Sequence, residues 1–429
     1  VSPTDRITVF DRPGRFAGWP ANYGMWAWGQ EVLAIFVVGR LGHDGSIHAR
    51  DTSRPFVPVQ ARSHDGGLTW SCERFPGLIP GGAESLNADE HVEPRLRVGP
   101  RLGKAGVGGP GTAGTKGGTR ADAGGGAADA EPEDGAGTDA GFVPLEVPLT
   151  FDDPETIVLC GRTDITRGSV SWFHASTDRG RTWRGPYLLP MFGQTGVSAR
   201  TDVVPLGGHS ALFLLTGSKP DGNEGRSFAV RTDDGGRSFR LVSYLDPAPA
   251  GWAIMPSSVR LPDGTILTAL RRQDPAPVGP GDPLSSGDPV PVGTVPVGPG
   301  MVHTIEVRRS ADDGVTWEHV ATPVADTGGH GNPPALVRTA AGVLALHYGF
   351  RDDPRGLRAV ISRDDGATWS EPIVLTDDTA THDMGYPRAV ALDDGTVLVV
   401  YYSNTSADSE RTIEAVRWRP GNEGRRQGT

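Results

Sequence analysis

The chain reads as an all-β protein built as a six-bladed β-propeller, with seven blades as the nearest rival. Three observations carry that reading. One short turn motif recurs five times, each copy ends a strand-like run, and the copies become evenly spaced once two low-complexity stretches are set aside.

The motif is an Asp box, Ser/Thr-x-Asp-x-Gly-x-Thr/Ser-Trp/Phe. Its copies are Ser63-His-Asp65-Gly-Gly67-Leu-Thr69-Trp70, Ser176-Thr-Asp178-Arg-Gly180-Arg-Thr182-Trp183 and Thr232-Asp-Asp234-Gly-Gly236-Arg-Ser238-Phe239, followed by Ser310-Ala-Asp312-Asp-Gly314-Val-Thr316-Trp317 and Ser362-Arg-Asp364-Asp-Gly366-Ala-Thr368-Trp369. Each copy has the chemistry of a tight hairpin turn. The carboxylate accepts turn N–H groups, the glycine takes a positive φ, and the terminal ring wedges beneath the turn.

The two widest gaps between boxes hold the two low-complexity stretches. Residues 99–141 are rich in Gly, Ala and Asp, and residues 275–300 are rich in Pro and Gly. Both read as disordered insertions in a single domain that spans residues 1–429. Without them the spacing falls to about 50–70 residues, the size of a four-stranded blade with its connections. The fifth unit gives the template: an inner strand at Ala335–Thr339, a second at Val343–Tyr348, a third at Arg358–Ile361, the box, and a fourth near Pro372–Leu375. A sixth unit, Tyr386 to Trp418, lacks a box, and Arg6–Phe10 is expected to supply its outer strand and close the ring. In this topology the boxes occupy one face. The starts of the inner strands and the loops between second and third strands occupy the other, where chemistry is expected.

Composition narrows the function. A net charge of −11 without a basic stripe argues against a nucleic-acid partner. No apolar run reaches the length of a membrane span. No signal peptide is visible, which leaves localisation open between cytoplasm and export after cleavage. Cys72 and Cys160 are too few for a disulfide framework and read as buried thiols. His91, His303, His330 and His382 are not at metal-ligand spacing, and Asp89, Glu90 and Glu93 read as a solvated acidic loop, so neither metal nor cofactor is expected.

Lys104, Lys116 and Lys219 are the only lysines, so arginine supplies nearly all the positive charge. Arg162, Arg200, Arg271, Arg351, Arg355 and Arg388 fall at expected funnel positions, where together they would attract an anionic ligand. The competing reading pairs each with an acidic neighbour such as Asp164, Asp202 or Asp352. Trp19 and Asn22, near the start of the first inner strand, are candidates for contact with a sugar, whereas the other aromatics of that stretch read as core.

Asp-box repeats in this layout resemble the sialidase (neuraminidase) superfamily over nearly the whole chain outside the insertions. The resemblance implies an exo-glycosidase that holds a sugar carboxylate with three arginines, protonates the leaving group with an aspartic acid, and attacks with a tyrosine paired to a glutamate. Asp51, before the first box, matches the acid. Tyr386, followed by Leu392-Asp-Asp-Gly395, matches the nucleophile. Arg271, after Leu261-Pro-Asp-Gly264, matches the second arginine, and Arg355 the third, with Arg351 and Arg358 as close competitors. Two positions depart. Gly18-Trp19-Pro20 stands where the family opens with Arg-Ile-Pro, the nearest arginine being Arg15, and Met255 stands where the glutamate belongs. Glu224, His382 and Asp383 are the candidates to replace it. For Tyr386 the plain alternative is an aromatic packed at a strand end, and for Asp51 an ordinary turn aspartate. The expected activity is removal of a terminal carboxylate-bearing sugar from an acidic glycan by a monomeric enzyme. The rivals are a uronate-directed lyase or another propeller glycosidase, and a non-catalytic glycan-binding propeller.

Overall fold

The five boxes fold alike, and their hydrogen bonds explain why the same residue types recur. In the computed structural model, which describes residues 5–42, 48–80, 141–276 and 300–421, Ser63 Oγ donates to Asp65 Oδ1 and accepts from Gly67 N, both at 2.8 Å. Asp65 then accepts from Thr69 N at 2.9 Å and from Thr69 Oγ1 at 2.6 Å. The same four bonds recur in the turns of Asp178, Asp234, Asp312 and Asp364. The glycine that closes each turn has φ from +74° to +92°, which a residue with Cβ adopts only under strain. Two of the terminal rings reach the preceding unit: Trp183 donates to Gln60 Oε1 at 3.2 Å and Trp317 to Ser243 Oγ at 3.1 Å.

Among the described residues the strands form six antiparallel meanders. The first holds Arg15–Gly18, Met25–Trp28, Glu31–Arg40, Val57–Ser63 and Ser71–Arg74, and its inner strand is broken by a short 3₁₀ turn at Pro20–Asn22. The second holds Ile157–Arg162, Ser171–Ser176 and Arg184–Leu188. The third runs from Val197–Gly207 through Ser210–Ser218 and Glu224–Thr232 to Arg240–Tyr244. The fourth runs from Trp252–Arg260 through Ile266–Pro275 and Met301–Ser310 to Glu318–Val324. A single parallel pair, Arg226 with Ala253, joins these two into one sheet.

The fifth meander, Ala335–Arg338, Leu344–Phe350, Gly356–Ser362 and Ile373–Val374, follows the expected template to within two residues at most strand ends. The sixth, Gly385–Ala391, Val397–Ser403 and Thr412–Trp418, is completed by Asp5–Phe10, which pairs antiparallel with Thr412–Trp418. Phe10 from that strand meets Phe36 of the first meander edge to face, with ring centroids 5.7 Å apart.

The inner strands stand side by side: Val197–Gly207 packs on Trp252–Arg260, that on Ala335–Arg338, that on Gly385–Ala391, and that on Met25–Trp28. Apolar residues of neighbouring meanders fill the space between sheets, as where Leu336, Leu344 and Tyr348 meet Leu267 and Ile305. Between the later halves of the inner strands lies a cavity of about 540 Å³, lined in part by Trp26, Trp28, Asp202, Arg338 and Arg388. Cys160 is buried as expected, whereas Cys72 is only partly buried, its Sγ donating to the Val9 carbonyl, and the two form no disulfide. Residues 99–140 and 277–299 of the two insertions, with Asp89, Glu90, His91 and Glu93, lie outside the described residues. No helix among the described residues is long and apolar enough to cross a membrane.

Candidate functional site

Three inner strands are interrupted in the same way, each by a residue that precedes a proline. Trp19, Met255 and Tyr386 have φ of 58°, 55° and 50° and are followed by Pro20, Pro256 and Pro387. Proline brings no N–H to the ladder, and bulky side chains at positive φ are genuine outliers. The pairing register accordingly shifts between Ile254 and Ser257 and between Gly385 and Arg388. A fourth break, between Ser198 and Asp202, carries Arg200. These breaks turn Arg200, Met255 and Tyr386 out of the regular ladder and into one neighbourhood.

Tyr386 is the centre of that neighbourhood. Arg271 Nη1 donates to its hydroxyl oxygen at 3.1 Å, and the guanidinium carbons of Arg271 and Arg351 lie 5.7 and 5.6 Å from its ring centroid. Arg271 also stacks on Trp252 at 4.7 Å, touches Met255 Sδ at 3.8 Å and donates to the His330 carbonyl. Arg351 donates twice to the Met384 carbonyl. Burial alone pushes the Tyr386 phenol up, but Arg271, Arg200 and Arg351 together outweigh it, and the net direction is downward. Nearby imidazoles feel the same positive field. Burial, then Arg271 and His330, push His303 down to about 4, and burial with Arg351 and His382 also lowers His330. Both histidines are therefore neutral at neutral pH.

Asn332 holds the strained backbone in place. Its Oδ1 accepts from Tyr386 N at 3.0 Å and Gly349 N at 3.3 Å, while its Nδ2 donates to the Met384 carbonyl at 3.1 Å. Gly385, at φ +100°, lies so close that a Cβ there would come within 2.3 Å of Asn332 Nδ2. Behind Tyr386, Asp383 accepts from His48 Nδ1 at 2.6 Å, Ala49 N at 2.9 Å, Tyr402 at 2.9 Å and Arg411 at 2.8 Å. Burial opposes ionisation of Asp383, yet His48, Ala49 and Arg411 hold its carboxyl far below the usual range.

The remaining sequence candidates fall into distinct places. Asp51 sits in a turn, partly exposed, where its carboxylate accepts from Ser53 and pairs with Arg54 at 3.3 Å. Hydrogen bonds from Ser53, with Arg54, lower its pKa. Glu224 pairs with Arg200 at 3.0 Å. Arg355 turns to Asp353 and the Arg351 carbonyl, and Arg358 lies 3.5 Å over the Phe350 ring, so Arg351 is the arginine of that loop that meets Tyr386. Arg388 pairs with Asp202 at 2.8 Å and donates to the Tyr23 carbonyl, lining the cavity below. Arg162 is buried at the end of Ile157–Arg162. Trp19 is 5% exposed, packed among Phe16, Phe56 and His48, with Arg50 over its ring. Asn22 is buried one turn later. His382 lies against His330, and Asp383 spends its oxygens on partners other than Tyr386.

Sequence reasoning missed Trp252 and Asn332, which reach the site from the fourth meander and from the chain just ahead of the fifth, and Tyr402 and Arg411, which come from within and just ahead of the later strands of the sixth. Gly331-Asn332-Pro333-Pro334, just ahead of an inner strand, was the one local signal for Asn332.

No protein-family model and no curated protein matches the sequence. Solved structures do resemble the fold. A protein of unknown function from Dyadobacter fermentans aligns at a TM-score of 0.61 and 18% identity, over 97% of this chain and 99% of that one. The α-L-arabinofuranosidase Arb93A of Fusarium graminearum aligns at 0.52 and 13%, over 98% of each chain. The NanB sialidase of Streptococcus pneumoniae aligns at 0.54 and 14%, over 97% of this chain and 71% of that one. At these identities the likeness shows a shared all-β architecture.

Proposed function

We propose that the six meanders are the blades of a six-bladed propeller and that the chain is a sialidase-like glycoside hydrolase. It would remove a terminal carboxylate-bearing sugar from an acidic glycan. The observation that carries the reading is Tyr386, a buried phenol turned out of its strand and held between Arg271 and Arg351. Two of the similar structures are glycosidases by name, an arabinofuranosidase and a sialidase. The arginines favour the acidic sugar between those two, because a neutral furanoside offers guanidinium groups hydroxyls but no carboxylate to pair with.

In this reading Arg271, Arg351 and Arg200 face the sugar carboxylate, Tyr386 attacks the anomeric carbon and Asp51 protonates the leaving oxygen. Ser53 and Arg54 keep the Asp51 carboxyl acidic, so a substrate must both displace them and exclude water from the carboxyl for it to carry a proton. A covalent glycosyl–tyrosine then forms and is cleared by water.

A uronate-directed lyase is the second reading. It is favoured by Tyr386, whose phenol the arginines lower, so that the same group could take a proton from carbon while the arginines hold the uronate carboxylate.

Release of a fluorophore from an α-linked sialoside tests the first reading. Tyr386→Phe is expected to lower turnover by about 10³-fold or more. No turnover by the wild type, together with an ultraviolet-absorbing product from a uronate polymer, would move the assignment to the lyase.

A further inference from the structure

Two buried guanidinium groups flank Tyr386 without a carboxylate of their own. Arg271 is 8% exposed and Arg351 2%, and among the described residues neither has an ion-pair partner. Their hydrogen bonds go to carbonyls, to Met255 sulfur and to the Tyr386 oxygen. The other charged groups nearby are already engaged: Arg200 with Glu224, Arg388 with Asp202, and Arg411 with Asp383. Tyr402, whose ring lies 6.1 Å from that of Tyr386, gives its proton to Asp383. Buried cations without a counter-charge are costly, and the group in contact with Arg271 that is able to become an anion is the phenol itself.

The direction of the hydrogen bond agrees. Tyr386 Oη accepts from Arg271, and among the described residues no acceptor lies within reach of a proton on that oxygen. A neutral phenol so placed leaves its own donor unused in a buried site, whereas a phenolate needs only to accept.

We propose that Tyr386 rests as a phenolate paired with Arg271 and Arg351, and that this pair replaces the base that Met255 cannot supply. The inference rests on Tyr386 being the reacting group of the proposed function. The phenolate oxygen supplies the electron pair of the new bond to the anomeric carbon. The glycosidic C–O bond breaks toward the leaving oxygen, which takes the proton of Asp51. In the second half, water attacks the anomeric carbon, its proton returns to Asp51, and the phenolate departs to the guanidinium groups. No proton enters or leaves Tyr386 at any point, so no base is needed beside it.

Ultraviolet difference titration of the full chain tests this directly. One of the seven tyrosines is expected to show the phenolate band at neutral pH, and Tyr386→Phe is expected to remove it. Arg271→Gln should move that titration up toward the ordinary phenol range. Met255→Glu, which sets a competing carboxylate beside Arg271, should do the same while leaving the arginine in place. A wild-type spectrum with no phenolate band below the ordinary range would overturn the proposal, even if sialosides are cleaved and Tyr386→Phe is inactive. A band lost in Tyr386→Phe without sialoside turnover would uphold the ionisation and sink the sialidase reading instead.

Discussion

Tyr386 shows how much backbone strain a single side chain can carry when its neighbours hold it. A tyrosine at φ +50° is disfavoured by about 1–3 kcal/mol, and Asn332 offsets this by bonding the N–H that the broken ladder leaves behind. Asn332→Ala strips partners from Tyr386 N and Gly349 N in a fully buried place. It should cost about 2–4 kcal/mol by denaturant unfolding and lower turnover more than KM changes. Unchanged stability would mean that the strand holds this shape without help. The resemblance pointed to Tyr386 and Arg271, at the distances from recognisable turns that it implies. For the third arginine it favoured Arg355 over Arg351 and Arg358, and missed because Arg355 turns back to Asp353, a loop geometry that spacing does not encode. Asn332 was invisible for a related reason, lying 54 residues from the backbone it supports.

At the scale of the element, the box turns were the most legible part of the chain, since the four bonds that shape each of them are local. Their aspartates also set a pH dependence. Hydrogen bonds from Thr69 and Ser63 hold Asp65 at about 2, those from Thr368 and Ser362 hold Asp364 at about 2, and Asp178, Asp234 and Asp312 are lowered too. A carboxyl depressed on folding contributes stability that is full above its unfolded value of about 4 and is lost as pH falls through the folded value. Thermal stability is therefore expected to fall between about pH 4 and pH 2, with the chain carrying Asp178→Ala responding less steeply. That variant loses four turn bonds and should be destabilised by about 1–3 kcal/mol in a denaturant melt. Its turnover should match the wild type when folded, because the turn lies away from Tyr386. The inner-strand breaks were harder to read than the turns. Three are marked by a residue–proline pair and the one at Arg200 by none, and the same pair in an edge strand would mean nothing.

For the whole molecule, the expected partnership of the N-terminal strand with the sixth unit is present, with Arg6 opposite Val416 and Ile7 opposite Ala415. The N-terminal strand of this seam also makes apolar contact with the first meander, because Phe10 carries its ring across to Phe36. Phe10→Ala should cost about 3–5 kcal/mol, seen as a lower midpoint in thermal unfolding, and should raise light scattering as the edge of Thr412–Trp418 becomes available to other chains. A midpoint unchanged by the substitution would place the stabilising contacts of the seam elsewhere. This long-range pairing was legible because the sixth unit came up one strand short, so arithmetic supplied what local pattern did not.

That seam also orders events in time. Asp5–Phe10 leaves a ribosome long before its partner, Thr412–Trp418. Until then this strand lacks that edge and must stay unpaired with it through the synthesis of everything between. Contacts of such separation form slowly. The pairing of these two strands therefore waits on everything between them, and any delay there leaves two strand edges open to the wrong neighbour.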